Sequence, residues 1–219
     1  MSKTLVLASA SPRRKALLDQ IGVEFRVHPV DLDESMIPGE EALVHVQRLA
    51  TEKARLGFEQ LTRQETGLAV LAADTVVEID GKVLGKPSGD RQAAAFLSRL
   101  SGKAHKVHTA IALVTNDQEL AAVSSSDVEF MPLSEKQIAA YVATGEPQDK
   151  AGAYAIQHPG FAPVRAIDGC ITGVMGLPLG DLCSSLAEFG YRAECAVAEV
   201  CERQARFACC QRTDDAVGG

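Results

Sequence analysis

The sequence predicts an α/β fold built on a mixed sheet, and three observations predict it. Short apolar runs of strand length alternate with segments of helical period from Thr4 to about Gly190. Tight-turn signals between some of the runs, Asp80-Gly81 above all, make several strand neighbours antiparallel rather than parallel. The 219 residues are 46% hydrophobic and 23% charged, which is too apolar for a disordered chain and long enough for one buried core.

The elements follow in order. Thr4 to Ala8 is a short apolar strand, and Ser11-Pro12 then supplies an N-cap and a first-turn proline for a helix that stops at Gly22. Val23, Phe25 and Val27 alternate as a second strand, which ends in the acidic loop Asp31-Leu32-Asp33-Glu34. A helix from about Glu40 to Leu56 places Leu43, Val46, Leu49 and Ala50 on one side. Leu68 to Ala73 reads as a buried strand running into Asp74 and a hairpin turned at Asp80-Gly81. A helix over Asp90 to Leu100 precedes strands near Lys106–Val114 and Ala121–Phe130, joined at Asn116-Asp117. Ser134 and Gln137 form a capping box that opens a helix to about Thr144. The polar loop Glu146–Gln157 leads to a second hairpin turn at Asp168-Gly169, and Leu177-Pro178 starts a helix ending near Gly190. Residues 1–190 form one domain; residues 191–219 are a tail with a short amphipathic helix, then a flexible end.

Charge and cysteine usage exclude several classes. With 22 basic and 29 acidic residues the net charge is −7, so no nucleic-acid partner is expected and an anionic ligand needs a local basic pocket. No apolar run approaches a membrane span, and the Lys3–Ala10 stretch is too short for a secretory leader, so a cytoplasmic protein with no membrane partner is expected. The six cysteines show neither CxxC nor a Cys/His ligand spacing and read as small hydrophobes and free thiols.

Five places carry chemistry. Ser9, Arg13 and Arg14 flank a helix N-terminus, where free N–H groups and the helix dipole favour an anion. Two arginines there oppose the dipole unless something negative joins them, although a plain Ser-Pro helix start with solvated arginines is the bland alternative. Asp74 follows a core strand, either as a presented carboxylate or as a turn former. Lys86 in Gly85-Lys86-Pro87 is one hairpin's length from Asp74, or an ordinary surface lysine. Lys53 lies on a helix, either for function or as half of a surface ion pair. Asp33 and Glu34 offer hard oxygens for Mg²⁺ or Mn²⁺, or merely an acidic solvated loop. The five histidines show no metal or triad spacing. Together these groups suit metal-assisted hydrolysis of a phosphoanhydride.

The same segments resemble the Maf family of nucleotide pyrophosphatases. The resemblance rests on Leu7-Ala8-Ser9-Ala10-Ser11-Pro12-Arg13-Arg14, Glu52-Lys53-Ala54, Ala73-Asp74-Thr75, Gly85-Lys86-Pro87, Asp149 to Gln157 and Val174 to Pro178, in order over about residues 3–190. It implies an elongated α/β fold similar to the inosine triphosphate pyrophosphatases, a homodimer, and cleavage of a nucleoside triphosphate between its α and β phosphates. By this resemblance Asp74 activates water, as base or as metal ligand. Ser9, Arg13, Arg14, Lys53 and Lys86 hold and neutralise the triphosphate, and Glu34 helps hold a divalent metal, Mg or Mn. Arg13, Thr75 and Gln157 resemble the specificity positions of the branch acting on dTTP and UTP, with CTP and modified pyrimidine nucleotides as further candidates. The branch preferring 7-methyl-GTP carries tryptophan, glutamine and glutamate there, and this chain has no tryptophan. A neutral glutamine amide suits the mixed edge of uracil or thymine. Ala155 stands where the branch often has glycine. The implied role is house-cleaning of non-standard nucleotides. The alternatives are a 7-methyl-GTP or inosine triphosphate pyrophosphatase and a nucleotide-binding regulator of septum formation without turnover.

Overall fold

Seven strands form one mixed sheet in the order β2 (Phe25–Val27), β1 (Thr4–Leu7), β3 (Leu68–Ile79), β5 (Ala104–Val114), β6 (Glu119–Phe130), β7 (Val164–Asp168), with β4 (Lys82–Leu84) paired to β3 off that path. The computed structural model describes residues 4–63, 65–158, 160–194, 196–204 and 207. β1 runs parallel to both β2 and β3, whereas β4, β5, β6 and β7 join antiparallel. The helices are α1 (Pro12–Asp19), α2 (Ala42–Thr62), α3 (Asp90–Leu100), α4 (Glu135–Val142), α5 (Ile171–Val174), α6 (Leu179–Glu188) and α7 (Val197–Gln204). No helix among the described residues is long and apolar enough to cross a membrane.

Local chemistry sets the element ends. The Ser11 hydroxyl caps α1 by accepting from the Arg14 N–H at 3.4 Å, with Pro12 at the first turn. Asp80 and Gly81 both take positive φ, 52° and 67°, as a type I′ turn between β3 and β4 requires. The capping box of α4 closes both ways: Gln137 N–H donates to Ser134 Oγ at 3.3 Å, and Ser134 N–H donates to Gln137 Oε1 at 2.9 Å.

Three expectations are corrected. β3 does not end at Ala73: it continues through Asp74 to Ile79, because β5 pairs with it residue by residue from Val70 to Glu78. Leu43 is not on the buried side of α2; it is exposed, and the buried stripe is Ala42, Val46, Leu49, Ala50, Lys53, Ala54 and Gly57. Asp168-Gly169 is no hairpin turn. It carries β7 into α5, which is capped by the Cys170 side chain accepting from the Gly173 N–H. The loop Glu146–Gln157 contains two short 3-10 turns, Glu146–Asp149 and Ala151–Ala153. Cys195, Cys209 and Cys210 lie outside the described residues, as does the end of the tail.

Side chains alternate across β3, so its two faces bury different helices. Val70 and Ala72 pack with Val46, Ala50 and Ala54 of α2. Leu71 and Ala73 pack with Leu17 and Leu18 of α1, Leu182 and Leu186 of α6, and Val200 of α7. Towards the other end of the long strands, Val107, Val128 and Phe130 pack with Leu97 and Leu100 of α3 and Ile138 of α4. One edge of β3 is continuous with β5. The other pairs with β1 only as far as Leu71, and with β4 only from Val77. Between those points the sheet is open on that side.

Gly152 fits this arrangement closely. Its φ is 66°, and a Cβ there would lie 2.8 Å from Cγ2 of Val77 in β3, while its N–H donates to Gly85 O at 3.1 Å. Gly152→Ala combines a left-handed backbone penalty with overpacking and is expected to destabilise the fold by roughly 2–4 kcal/mol. Urea unfolding of the two proteins checks this; equal midpoints would refute the close-approach account.

Candidate active site

The opening beside β3 is the mouth of a cavity of about 810 Å³. Of the residues singled out in the sequence, Ser9, Arg13, Arg14, Glu34, Lys53, Asp74, Thr75, Lys86 and Gln157 line it. Asp33 does not; its carboxylate turns back to accept the Ser35 N–H at 2.9 Å within its own loop.

Asp74 and Thr75 are consecutive on β3 and therefore point to opposite faces. Asp74, buried, faces α2 and accepts from Lys53 Nζ at 2.7 Å. The same ammonium donates to Glu34 Oε1 at 2.6 Å, and Glu34 Oε2 accepts from the exposed Lys86 Nζ at 3.2 Å. Lys86 thus reaches the site through Glu34 rather than by contact with Asp74. Burial alone would raise the Glu34 carboxyl, but the hydrogen bonds and charges of Lys53 and Lys86 outweigh it and hold it below the usual range.

Glu34 sits on a loop, so its position needs a restraint. Arg48 of α2 supplies one, donating to Ser35 O at 3.1 Å while gripping both oxygens of Glu40 at 2.7 and 2.9 Å. That guanidinium, with the Ile37 N–H and His45, holds the Glu40 carboxyl down at about 2. Glu40 and Arg48 escaped the sequence reading because their spacing straddles the helix start; only the pairing of an acid before a helix with an arginine two turns in could have flagged them.

On the other face, Arg14 is fixed by three bonds: Nε to Gly176 O at 2.9 Å, Nη1 to Ser9 Oγ at 3.3 Å and Nη2 to Thr75 Oγ1 at 3.2 Å. The Thr75 hydroxyl also contacts Thr109 Oγ1 at 3.0 Å, so it serves the arginine as well as the cavity wall. Among the described residues no carboxylate lies within ion-pair distance of Arg14, and burial lowers its pKa, with neighbouring Arg13 adding to the effect and Asp74 opposing it. Arg13 instead approaches Asp149 Oδ2 at 3.6 Å. Asp149 and Lys150 line the cavity too, joined at 2.6 Å; their motif was quoted in the sequence, but no role was read for either.

The donor set bears on a metal. Asp74 and Glu34 place carboxylate oxygens on one shared cation, Lys53, and no three His, Cys, Asp or Glu side chains gather into a metal site among the described residues. Two carboxylates beside a basic cavity fit a hard cation that takes its other ligands from phosphate oxygens and water.

The family model of the Maf-like proteins matches residues 4–189. The dTTP/UTP pyrophosphatase of Methylobacillus flagellatus is 48% identical over 186 residues, 85% of this chain and 92% of that one. That of Symbiobacterium thermophilum is 46% identical over 187 residues, 85% of this chain and 94% of the other. Among solved structures, a HAM1 protein from Coxiella burnetii aligns over 85% of this chain and 99% of its own at 20% identity, with a TM-score of 0.49.

The Lys86–Glu34 contact generates a pH prediction. Lys86→Met removes one of the two cations that hold the Glu34 carboxyl down, so its titration moves to higher pH. A ¹³C NMR titration of the Glu34 side chain reads this; an unmoved midpoint would show that Lys53 alone sets it.

Proposed function

This chain belongs to the Maf-like protein family, and we propose that it is a nucleoside triphosphate pyrophosphatase hydrolysing dTTP and UTP to the monophosphate and pyrophosphate. The observation that carries the reading is the pairing of a buried carboxylate, Asp74, with a half-buried arginine, Arg14, that among the described residues has no carboxylate within ion-pair distance. One group suits the activation of water; the other suits a phosphate. The names of the relatives, and the presence of Arg13, Thr75 and Gln157 around the cavity, support the pyrimidine substrates.

In this reading Asp74 accepts a proton from the attacking water, while Lys53, donating to Oδ1, fixes the carboxylate in direction. The water oxygen bonds to the α-phosphorus, the bond from that phosphorus to the α–β bridging oxygen breaks, and pyrophosphate leaves with the bond's electron pair. Arg13, Arg14, Ser9 and Lys86 hold the phosphate oxygens and offset their charge. Asp74 and Glu34 would hold a Mg or Mn ion, which when bound lowers the pKa of water and neutralises phosphate charge. A homodimer in the cytoplasm, implied by resemblance, completes the proposal.

The test is a nucleotide panel with Mg²⁺ or Mn²⁺, measuring pyrophosphate and orthophosphate separately. Pyrophosphate from dTTP and UTP is expected, with a loss of about 100- to 10,000-fold in Asp74→Asn. Orthophosphate as the product, activity confined to 7-methyl-GTP, or full activity in Asp74→Asn would each overturn the reading.

A further inference from the structure

α7 lies beyond residues 4–189, which the family model matches, yet it hydrogen-bonds Gln157, a residue of the cavity wall. Gln157 Nε2 donates to Gln204 O at 3.2 Å and to Gln204 Oε1 at 2.9 Å. Gln204 Nε2 donates in turn to Gln20 Oε1, just past the end of α1. Gln20 Nε2 donates to Ala16 O at 3.2 Å.

The direction of this relay is forced. A side-chain amide can turn over and exchange its donor and acceptor ends, but a main-chain carbonyl only accepts. Ala16 O therefore fixes the nitrogen end of Gln20, which turns its oxygen towards Gln204. Gln204 then meets that oxygen with its nitrogen and presents its own oxygen to Gln157. The Gln204 carbonyl makes the same demand independently. Both contacts engage the Gln157 nitrogen, so the group Gln157 has left to offer a ligand is an acceptor oxygen.

We propose that Gln204 is a positioning residue for base selection, locking the Gln157 amide so that its oxygen reads the N3–H of uracil or thymine. This rests on the pyrimidine reading above and deepens it. On the pairing edge of uracil or thymine, N3–H is the only donor, flanked by two accepting carbonyls. Cytosine carries a lone pair at N3, and a fixed acceptor opposite it leaves two acceptors face to face. An amide free to rotate would offer its NH₂ group there and lose that discrimination.

Two variants of equal reach separate polarity from packing. Gln204→Glu keeps an acceptor towards Gln157 and gives up only the bond to Gln20, whose nitrogen stays on Ala16 O. The side chain of Gln204→Lys presents only donors, so its ammonium draws the Gln157 oxygen over against the main-chain carbonyl, whose bond at 3.2 Å is the longer of the two. The readout is the ratio of kcat/KM for UTP over CTP, with thermal melting as a check that both variants fold. Wild type and Gln204→Glu are expected to share a preference for UTP, and Gln204→Lys to reduce it by about tenfold, as for a lost base-edge hydrogen bond. Turnover of UTP should persist in all three, because Asp74 and Lys53 are untouched.

An unchanged ratio in Gln204→Lys would overturn the proposal, and so would an equal fall in both variants, which marks a packing effect. A wild type that cleaves UTP and CTP equally would also overturn it while leaving the pyrophosphatase reading intact. Failure of the wild type to release pyrophosphate from UTP or dTTP is the separate result that removes the pyrimidine reading, and this inference with it.

Discussion

The site depends on one interruption: β3 has a continuous partner on one edge and none on the other between Leu71 and Val77. β1 leaves because Ser9 to Pro12 turn the chain into α1, and β4 is only three residues long and joins late. Asp74 therefore stands beside an opening while its backbone stays in a ladder with β5, from Val70↔Val114 to Glu78↔Lys106. A side chain on a paired strand is held more precisely than one on a loop, as tight geometry requires. The gap also lets consecutive residues serve opposite faces of the sheet. Asp74 works with α2 and Thr75 with α1, and a ligand in the gap can meet both.

Features with local causes were legible in the sequence. The Ser11-Pro12 start of α1, the capping box of α4 and the Asp80-Gly81 turn each depend on a few adjacent residues, and the structure has all three. The gathering of the site residues was also legible, because each stood in a short run of distinctive chemistry. Features decided by distant contacts were not. Gly169 reads as a turn glycine, yet a Cβ there would lie 2.7 Å from Ser126 Oγ, so what it provides is close packing between β7's end and β6. Leu43 satisfies the helical period, but α2 starts its buried stripe at Ala42, which rotates Leu43 to the exposed side. Gln204 carries no motif at all; only the folded chain brings it to Gln157.

The charges around the cavity divide into two kinds, and the division explains how one pocket holds both bases and acids. Lys53, Lys86, Lys150 and Arg13 each have a carboxylate within 4 Å, so their charge is already balanced before any ligand arrives. Such groups fix carboxylates in place and yield only part of their field to a newcomer. Arg14 differs: its three partners are a carbonyl and two hydroxyls, all neutral. Burying a cation without an anion is costly, and the lowered pKa of Arg14 expresses that cost. An anion entering the cavity would find a guanidinium already oriented by Gly176, Ser9 and Thr75, with no carboxylate among the described residues to displace. A strongly negative ligand would answer the protein's own imbalance, while Lys53 across the gap holds the Asp74 and Glu34 carboxylates on one cation beside it.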